Sequence, residues 1–217
     1  MIRSFGYNEF LFLLSAVQWT LALSAIAFLG GGVVGLFVAL GRTADSKPIR
    51  LFTTGYIQLF QGTPLLMQLF LVFFGATVLG AEMNPWAAAA LGLTLNASAF
   101  LGEIWRGCIQ AIPKGQWEAA SALGLRYPGL MRYVILPQAV KIAVPPTVGY
   151  LVQLIKGTSL AAIIGFTELT RAGQIINNAT FQPFLVFGIV AALYFVLCWP
   201  LSLLSARLEE RYAAPSR

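Results

Sequence analysis

Lys114-Gly115-Gln116-Trp117-Glu118-Ala119-Ala120-Ser121-Ala122-Leu123-Gly124-Leu125 decides how this chain is read. It is a short, polar, helix-prone stretch set between long apolar runs and bounded by Pro113 and Pro128. Glu118 through Leu123 are mostly good helix formers, and Gly124 is placed as a stop just past the last turn. About two turns of helix are too short to cross a bilayer, and this helix is too rich in alanine to anchor itself in one. Residues 113–128 are therefore expected to protrude as a loop on one side of a membrane. Glu118 is expected in the first turn, where a carboxylate suits the helix dipole. Spacing alone leaves two readings open: an ordinary loop helix between two spans, or an element on which something docks.

The membrane itself follows from composition. Of 217 residues, 58% are hydrophobic and 10% charged, against about 45–50% and about 25% in soluble domains. The net charge of +6 fits basic loops beside a membrane. No Lys/Arg-rich run is present to hold nucleic acid. Cys108 and Cys198 lie in or beside apolar runs without metal spacing, and read as buried thiols. Histidine is absent, which removes the commonest general base and metal ligand and with it any Ser-His or Cys-His pair. No G-x-x-x-x-G-K-[ST] loop occurs, so ATP chemistry by that route is excluded. Neither an enzyme nor a metal or cofactor is expected. The first apolar run is too long for a signal-peptide core, so it is expected to remain in the mature protein.

Five membrane-spanning helices in an all-α membrane protein are expected, over about 15–41, 51–76, 84–110, 133–156 and 183–206. In the first, Ala27, Gly31, Gly35 and Ala39 recur every fourth residue, a small-residue face for close packing in lipid. In the second, Thr54, Gln58, Gln61 and Gln68 share a face, and Pro64 in Gln61-Gly62-Thr63-Pro64 is expected to bend the helix. That face either hydrogen-bonds to other helices or lines a wet cavity. In the third, Asn96, Glu103 and Arg106 can face one way. Glu103 is either a functional carboxylate with Arg106 as partner or half of a packing ion pair. In the fourth, Pro145-Pro146 is expected to break or kink the helix. Tyr150, Gln153 and Lys156 follow at intervals of three. Lys156 with Gly157-Thr158-Ser159 either grips a carboxylate or snorkels to the interface. Residues 161–182 read as a short hairpin element and loop.

Charge sets the expected orientation. Arg42, Lys47, Arg50, Lys114, Arg126, Arg132, Arg207, Arg211 and Arg217 fall on one side of the five spans; Arg3 and Arg171 fall on the other. The positive-inside rule makes the first side cytoplasmic. The N-terminus is then outside, the C-terminus inside, and the loop around Glu118 cytoplasmic.

Glu118-Ala119-Ala120, then Gly124, Val134, Leu136 and Pro137, resemble the EAA loop of ABC-transporter inner-membrane permeases. The family pattern is EAA, three residues, Gly, nine residues, Ile, one residue, Leu-Pro; here Val134 replaces Ile. Gln61-Gly62-Thr63-Pro64-Leu65-Leu66, Gly102-Glu103-Ile104-Trp105-Arg106-Gly107, Ile112-Pro113-Lys114-Gly115-Gln116 and Lys156-Gly157-Thr158-Ser159-Leu160 are similar to the polar amino acid branch. The resemblance implies a type I ABC importer permease fold in a bacterial inner membrane. It implies that Gln116, Glu118, Ala119, Ala120 and Gly124 form a coupling helix docked on ABC ATPase subunits. It also implies a second permease subunit, identical or paralogous, and an extracytoplasmic substrate-binding protein. Substrate-binding residues are expected among Glu103, Lys156, Thr158 and Ser159, with Gln61 and Asn96 behind them. Other readings are an opine or sulfur amino acid as cargo, or a non-transporting scaffold or channel subunit.

Overall fold

The computed structural model describes residues 4–212; Arg3 and Arg217, which entered the charge count, lie outside them. The described residues are helical throughout, without strands. In order they form α1 (Tyr7–Thr43), α2 (Lys47–Gly62), α3 (Leu65–Val78), α4 (Pro85–Gln110), α5 (Lys114–Ala122) and α6 (Tyr127–Leu130). A π turn (Met131–Ile135) leads into α7 (Leu136–Gly157), and a 3-10 turn (Thr158–Ile164) leads out of it to α8 (Leu169–Thr180) and α9 (Pro183–Tyr212). Among the described residues four helical stretches are long and apolar enough to cross a membrane. The pair α2 and α3 makes a fifth if it counts as one broken span.

The small-residue face organises the packing. Ala27, Gly31, Gly35 and Ala39 are all buried on α1, against Ala97, Ser98 and Gly102 of α4. A Cβ added at Gly31 would fall 2.5 Å from the Cβ of Ala97. Without a hydrophobic drive between helices in lipid, such backbone approach is what dispersion contacts require. Leu23, Ala27, Leu69, Leu93, Ala97, Leu101, Tyr150 and Leu154 form the main buried cluster, drawn from α1, α3, α4 and α7.

Three expectations need correction. The bend expected at Pro64 is a corner: α2 and α3 meet at 103° across Thr63 and Pro64. Gln68 therefore does not share a face with Gln58 and Gln61; it is buried behind the corner. Pro145-Pro146 does not break α7, which is helical from Leu136 to Gly157. Ser205 Oγ donates to the Pro145 carbonyl at 2.9 Å, and Thr147 Oγ1 to the Ala143 carbonyl at 2.6 Å. The irregularity of this span lies at the π turn instead. Finally, α5 begins at Lys114, so Glu118 stands in its second turn, not its first.

Residues 161–182 hold a 3-10 turn and α8 rather than a hairpin. Their fixed point is Glu168, a fully buried N-cap. Its carboxylate accepts from Thr170 N and Arg171 N, each at 2.9 Å, and from Tyr194 OH of α9 at 2.7 Å. The next residue's N–H donates to Thr20 Oγ1 of α1 at 3.1 Å. Glu168 and Leu169 together thus tie α8 to two spans, α9 and α1. Glu168→Ala is expected to destabilise by roughly 2–4 kcal/mol, from the lost cap and the stranded donors, read as a lower Tm of the detergent-solubilised protein. Burial lifts this carboxyl above the ordinary carboxylate range, and its hydrogen-bond donors pull it partly back. A folded value above the unfolded one means the contribution is full below the unfolded pKa and fades as pH rises through the folded pKa. Glu168→Gln should flatten that decline of Tm with pH.

Candidate functional site

The corner between α2 and α3 lies between two cavities. The larger, about 460 Å³, is lined by Gln61, Phe100, Glu103, Ile104 and Arg106 among others. The smaller, about 200 Å³, is lined by Thr63, Leu65, Asn96, Phe100, Tyr150 and Gln153 among others. Phe100 borders both and stacks on Tyr150 with centroids 5.5 Å apart. The larger cavity is charged; the smaller presents amides and hydroxyls.

Helical spacing puts the charges of the larger cavity together. Glu103 and Arg106 are one turn apart on α4, and the guanidinium grips the carboxylate with both arms: Nε donates to Oε2 at 2.8 Å and Nη2 to Oε1. The remaining Arg106 nitrogen, Nη1, donates to Gln110 Oε1. Arg42, at the end of α1, places Nε 3.9 Å from Glu103 Oε2 while its Nη1 donates to Thr54 Oγ1 at 2.6 Å. Two guanidiniums thus face one partly exposed carboxylate, near the end of the bundle from which α5 projects. Gln61 reaches the same cavity and donates to the Ala99 carbonyl at 3.5 Å.

The other expected residues divide. Asn96 lines the smaller cavity but is buried; its Nδ2 donates to Gln68 Oε1 at 3.0 Å, and its Oδ1 accepts from Tyr150 OH at 3.4 Å. Lys156, Thr158 and Ser159 line neither cavity. Trp105 Nε1 donates to Thr147 Oγ1 at 2.9 Å, and with the Tyr150–Asn96 contact this sets the α4–α7 register. Counted from those two contacts at about 1.5 Å per residue, Lys156 stands roughly 10–20 Å along the bundle from Glu103. The amine and carboxylate of a single amino-acid head group do not span that gap. Thr158 is buried and donates to the Ile155 carbonyl at 2.7 Å; Ser159 donates to the Lys156 carbonyl at 2.7 Å. Both hydroxyl protons are spent on the chain's own turn. Gln68 is the residue that sequence reasoning misplaced; its signal was Pro64 four positions earlier, since a corner there needs a cap.

The loop helix is built to stand out. Pro113 precedes α5, and Gly124 ends it at φ 79°. The Gly124 N–H donates to the Ser121 carbonyl at 2.9 Å and the Leu125 N–H to the Ala120 carbonyl at 3.2 Å. This is the paired closure of a Schellman end, with Leu125 and Ala120 in apolar contact. Ala120 is buried with Ile112, Leu130, Met131 and Ile135. Gln116, Glu118, Ala119 and Gly124 are exposed, and Leu123 is 82% exposed. Ala120 and the partly buried Trp117 thus seat the helix on the bundle and leave its remaining residues exposed.

Comparison with known proteins agrees with this architecture. A probable amino-acid ABC transporter permease protein, YckA of Bacillus subtilis (strain 168), is 37% identical over 206 residues, covering 95% of this chain and 91% of the relative. The L-cystine transport system permease protein TcyB of the same organism is 36% identical, covering 90% and 84%. A solved structure described as an amino acid ABC transporter with histidines superposes with a TM-score of 0.88 at 36% identity, over 96% of this chain and all of that one. The expected type I ABC importer permease fold is therefore the fold found. Residues 11–213 match the family described as "Binding-protein-dependent transport system inner membrane component", and the chain belongs to that family of ABC-importer permease subunits.

Proposed function

We propose that this permease subunit moves a polar amino acid into the cytoplasm through the cavity holding Glu103, with the work supplied from outside the chain at α5. The observation that carries the reading is the pairing of a charged cavity, containing Glu103, Arg106 and Gln61, with an uncovered helix at the same end of the bundle. An amino acid brings an amine and a carboxylate. Glu103 supplies the counter-charge for the first, and Arg106 or Arg42 for the second. Lys156 belongs to this proposal only as a residue that substrate meets at a different depth.

The partners follow from α5 and the family. ABC ATPase subunits dock on Gln116, Glu118, Ala119 and Gly124, a second permease subunit pairs with this one in the lipid membrane, and an extracytoplasmic binding protein delivers the cargo. The N-terminus lies outside and α5 in the cytoplasm. The relatives named for L-cystine and amino acids leave a sulfur amino acid as the second cargo reading.

The test is uptake by proteoliposomes holding the permease with its ATPase and binding protein, across a panel of amino acids including L-glutamine and L-cystine. Glu103→Gln is expected to cut uptake about tenfold or more, the worth of one charge-assisted contact. Uptake unchanged in that variant would remove Glu103 from the path. ATP-independent flux would favour a channel. Orientation is read by labelling Glu118→Cys with a membrane-impermeant thiol reagent: reaction in intact cells would reverse the assignment.

A further inference from the structure

We propose that Gln68 is a positioning residue for transport, holding the α2–α3 corner in register with α7, so that movement of α7 is felt at the wall of both cavities. The proposal rests on the permease reading above, but on different residues. A corner of 103° leaves the last carbonyls of α2 without helical donors. Gln68 supplies the substitute. Its Nε2 donates to the Phe60 carbonyl at 2.8 Å, the Thr63 carbonyl at 3.0 Å and Thr63 Oγ1 at 2.9 Å. Two protons serving three acceptors fix the amide's orientation, because the flipped form would set oxygen against three oxygens. The amide oxygen is thereby turned toward Asn96.

From there the connection crosses two more helices. Asn96 carries it to α4, and Tyr150 carries it to α7. The links lengthen along the way, from 2.8 Å at Phe60 to 3.0 Å at Asn96 and 3.4 Å at Tyr150. The joint to α7 is the longest of the three. At its other end α7 runs through the π turn, whose Met131 and Ile135 pack with Ala120 of α5. Meanwhile the corner carries Gln61 into one cavity and Thr63 and Leu65 into the other. Gln68 itself touches neither, so its effect on transport passes through the corner alone.

The experiment uses the reconstituted complex and whichever of L-glutamine or L-cystine the wild type imports, measuring uptake and ATP hydrolysis in the same vesicles. Gln68→Met keeps the length and removes the amide. It is expected to lower the number of molecules imported per ATP at least about fivefold, the worth of one ordinary hydrogen bond, with the apparent KM for the cargo little changed. Tyr150→Phe should lower the same ratio. The double variant should be no worse than Gln68→Met alone, since both cut one chain. A merely structural Gln68 would lower uptake and hydrolysis together and leave the ratio fixed, which would overturn the proposal, as would effects that multiply. If Gln68→Met does not assemble, the ratio in Tyr150→Phe decides. Wild-type vesicles importing no amino acid would sink the permease reading instead, so the two failures are told apart.

Discussion

Gly31→Leu is expected to leave little assembled permease. A Cβ at this position meets the Ala97 Cβ at 2.5 Å and backbone atoms of Ala97 and Ser98 at 3.2 Å. Neither Ala97 nor the backbone can rotate away, so the whole of α1 must lift off α4. Extra methylenes forced into a packed core cost about 1–3 kcal/mol, occasionally more, and a rigid seam belongs at the upper end. At about 2–4 °C per kcal/mol for a chain of this size, Tm should fall by roughly 6–12 °C. Gly35 is confined less severely, with the Ser98 carbonyl oxygen 3.0 Å and Gly102 N 3.2 Å from an added Cβ. Gly35→Leu should therefore lower Tm in the same direction but by less. Gly55, in α2, has nothing within 4 Å of an added Cβ, so Gly55→Ala is the control and should hold Tm. Fluorescence-detected size exclusion of detergent extracts after heating measures all three.

Glu118→Lys and Gly124→Val should each abolish most uptake, for different reasons. Glu118 is exposed on a helix whose only buried residue is Ala120. Reversing its charge leaves the permease fold untouched and alters only what α5 presents to a docking partner. Tm should hold while uptake falls about tenfold or more, as for a lost charged contact at an interface. Gly124 sits at φ 79°. A β-branched side chain there costs roughly 1–3 kcal/mol of backbone strain, relieved most readily by unwinding the Schellman end. The exposed turn carrying Leu123 would then re-aim. Co-purification of the ATPase with each variant separates lost docking from lost transmission. Full uptake in both would mean that α5 is only a connection between spans.

Much of this could be read before any coordinates, and the reasons are physical. The face of Ala27, Gly31, Gly35 and Ala39 was legible because packing in lipid selects for small size at a fixed period. The loop helix was legible because proline before and glycine after leave few alternatives. Glu103 with Arg106 was legible because a three-residue step on a helix brings side chains together. The failures share a cause in tertiary context. Pro64 announced a bend, but not a corner large enough to separate Gln61 from Gln68. Pro145 and Pro146 announced a break or a kink, yet α7 stays helical through both. At Lys156-Gly157-Thr158-Ser159 the adjacency of charge and hydroxyls in sequence showed nothing of where the hydroxyls point. In space the hydroxyls are turned back on their own helix. Glu168 gave no strong signal because Glu is an uncommon N-cap, and its third donor, Tyr194, comes from another span.

The π turn at Met131–Ile135 gives α7 one place where a residue can be lost. Such a turn is a helix with one residue to spare, so its five residues sweep nearly the same angle as four residues of α-helix, about 400°. Losing a single codon there would mend the helix and leave Thr147 facing Trp105 and Tyr150 facing Asn96. The same loss a turn further on, where no residue is spare, would swing both away by about 100° with every hydrophobic residue still in place.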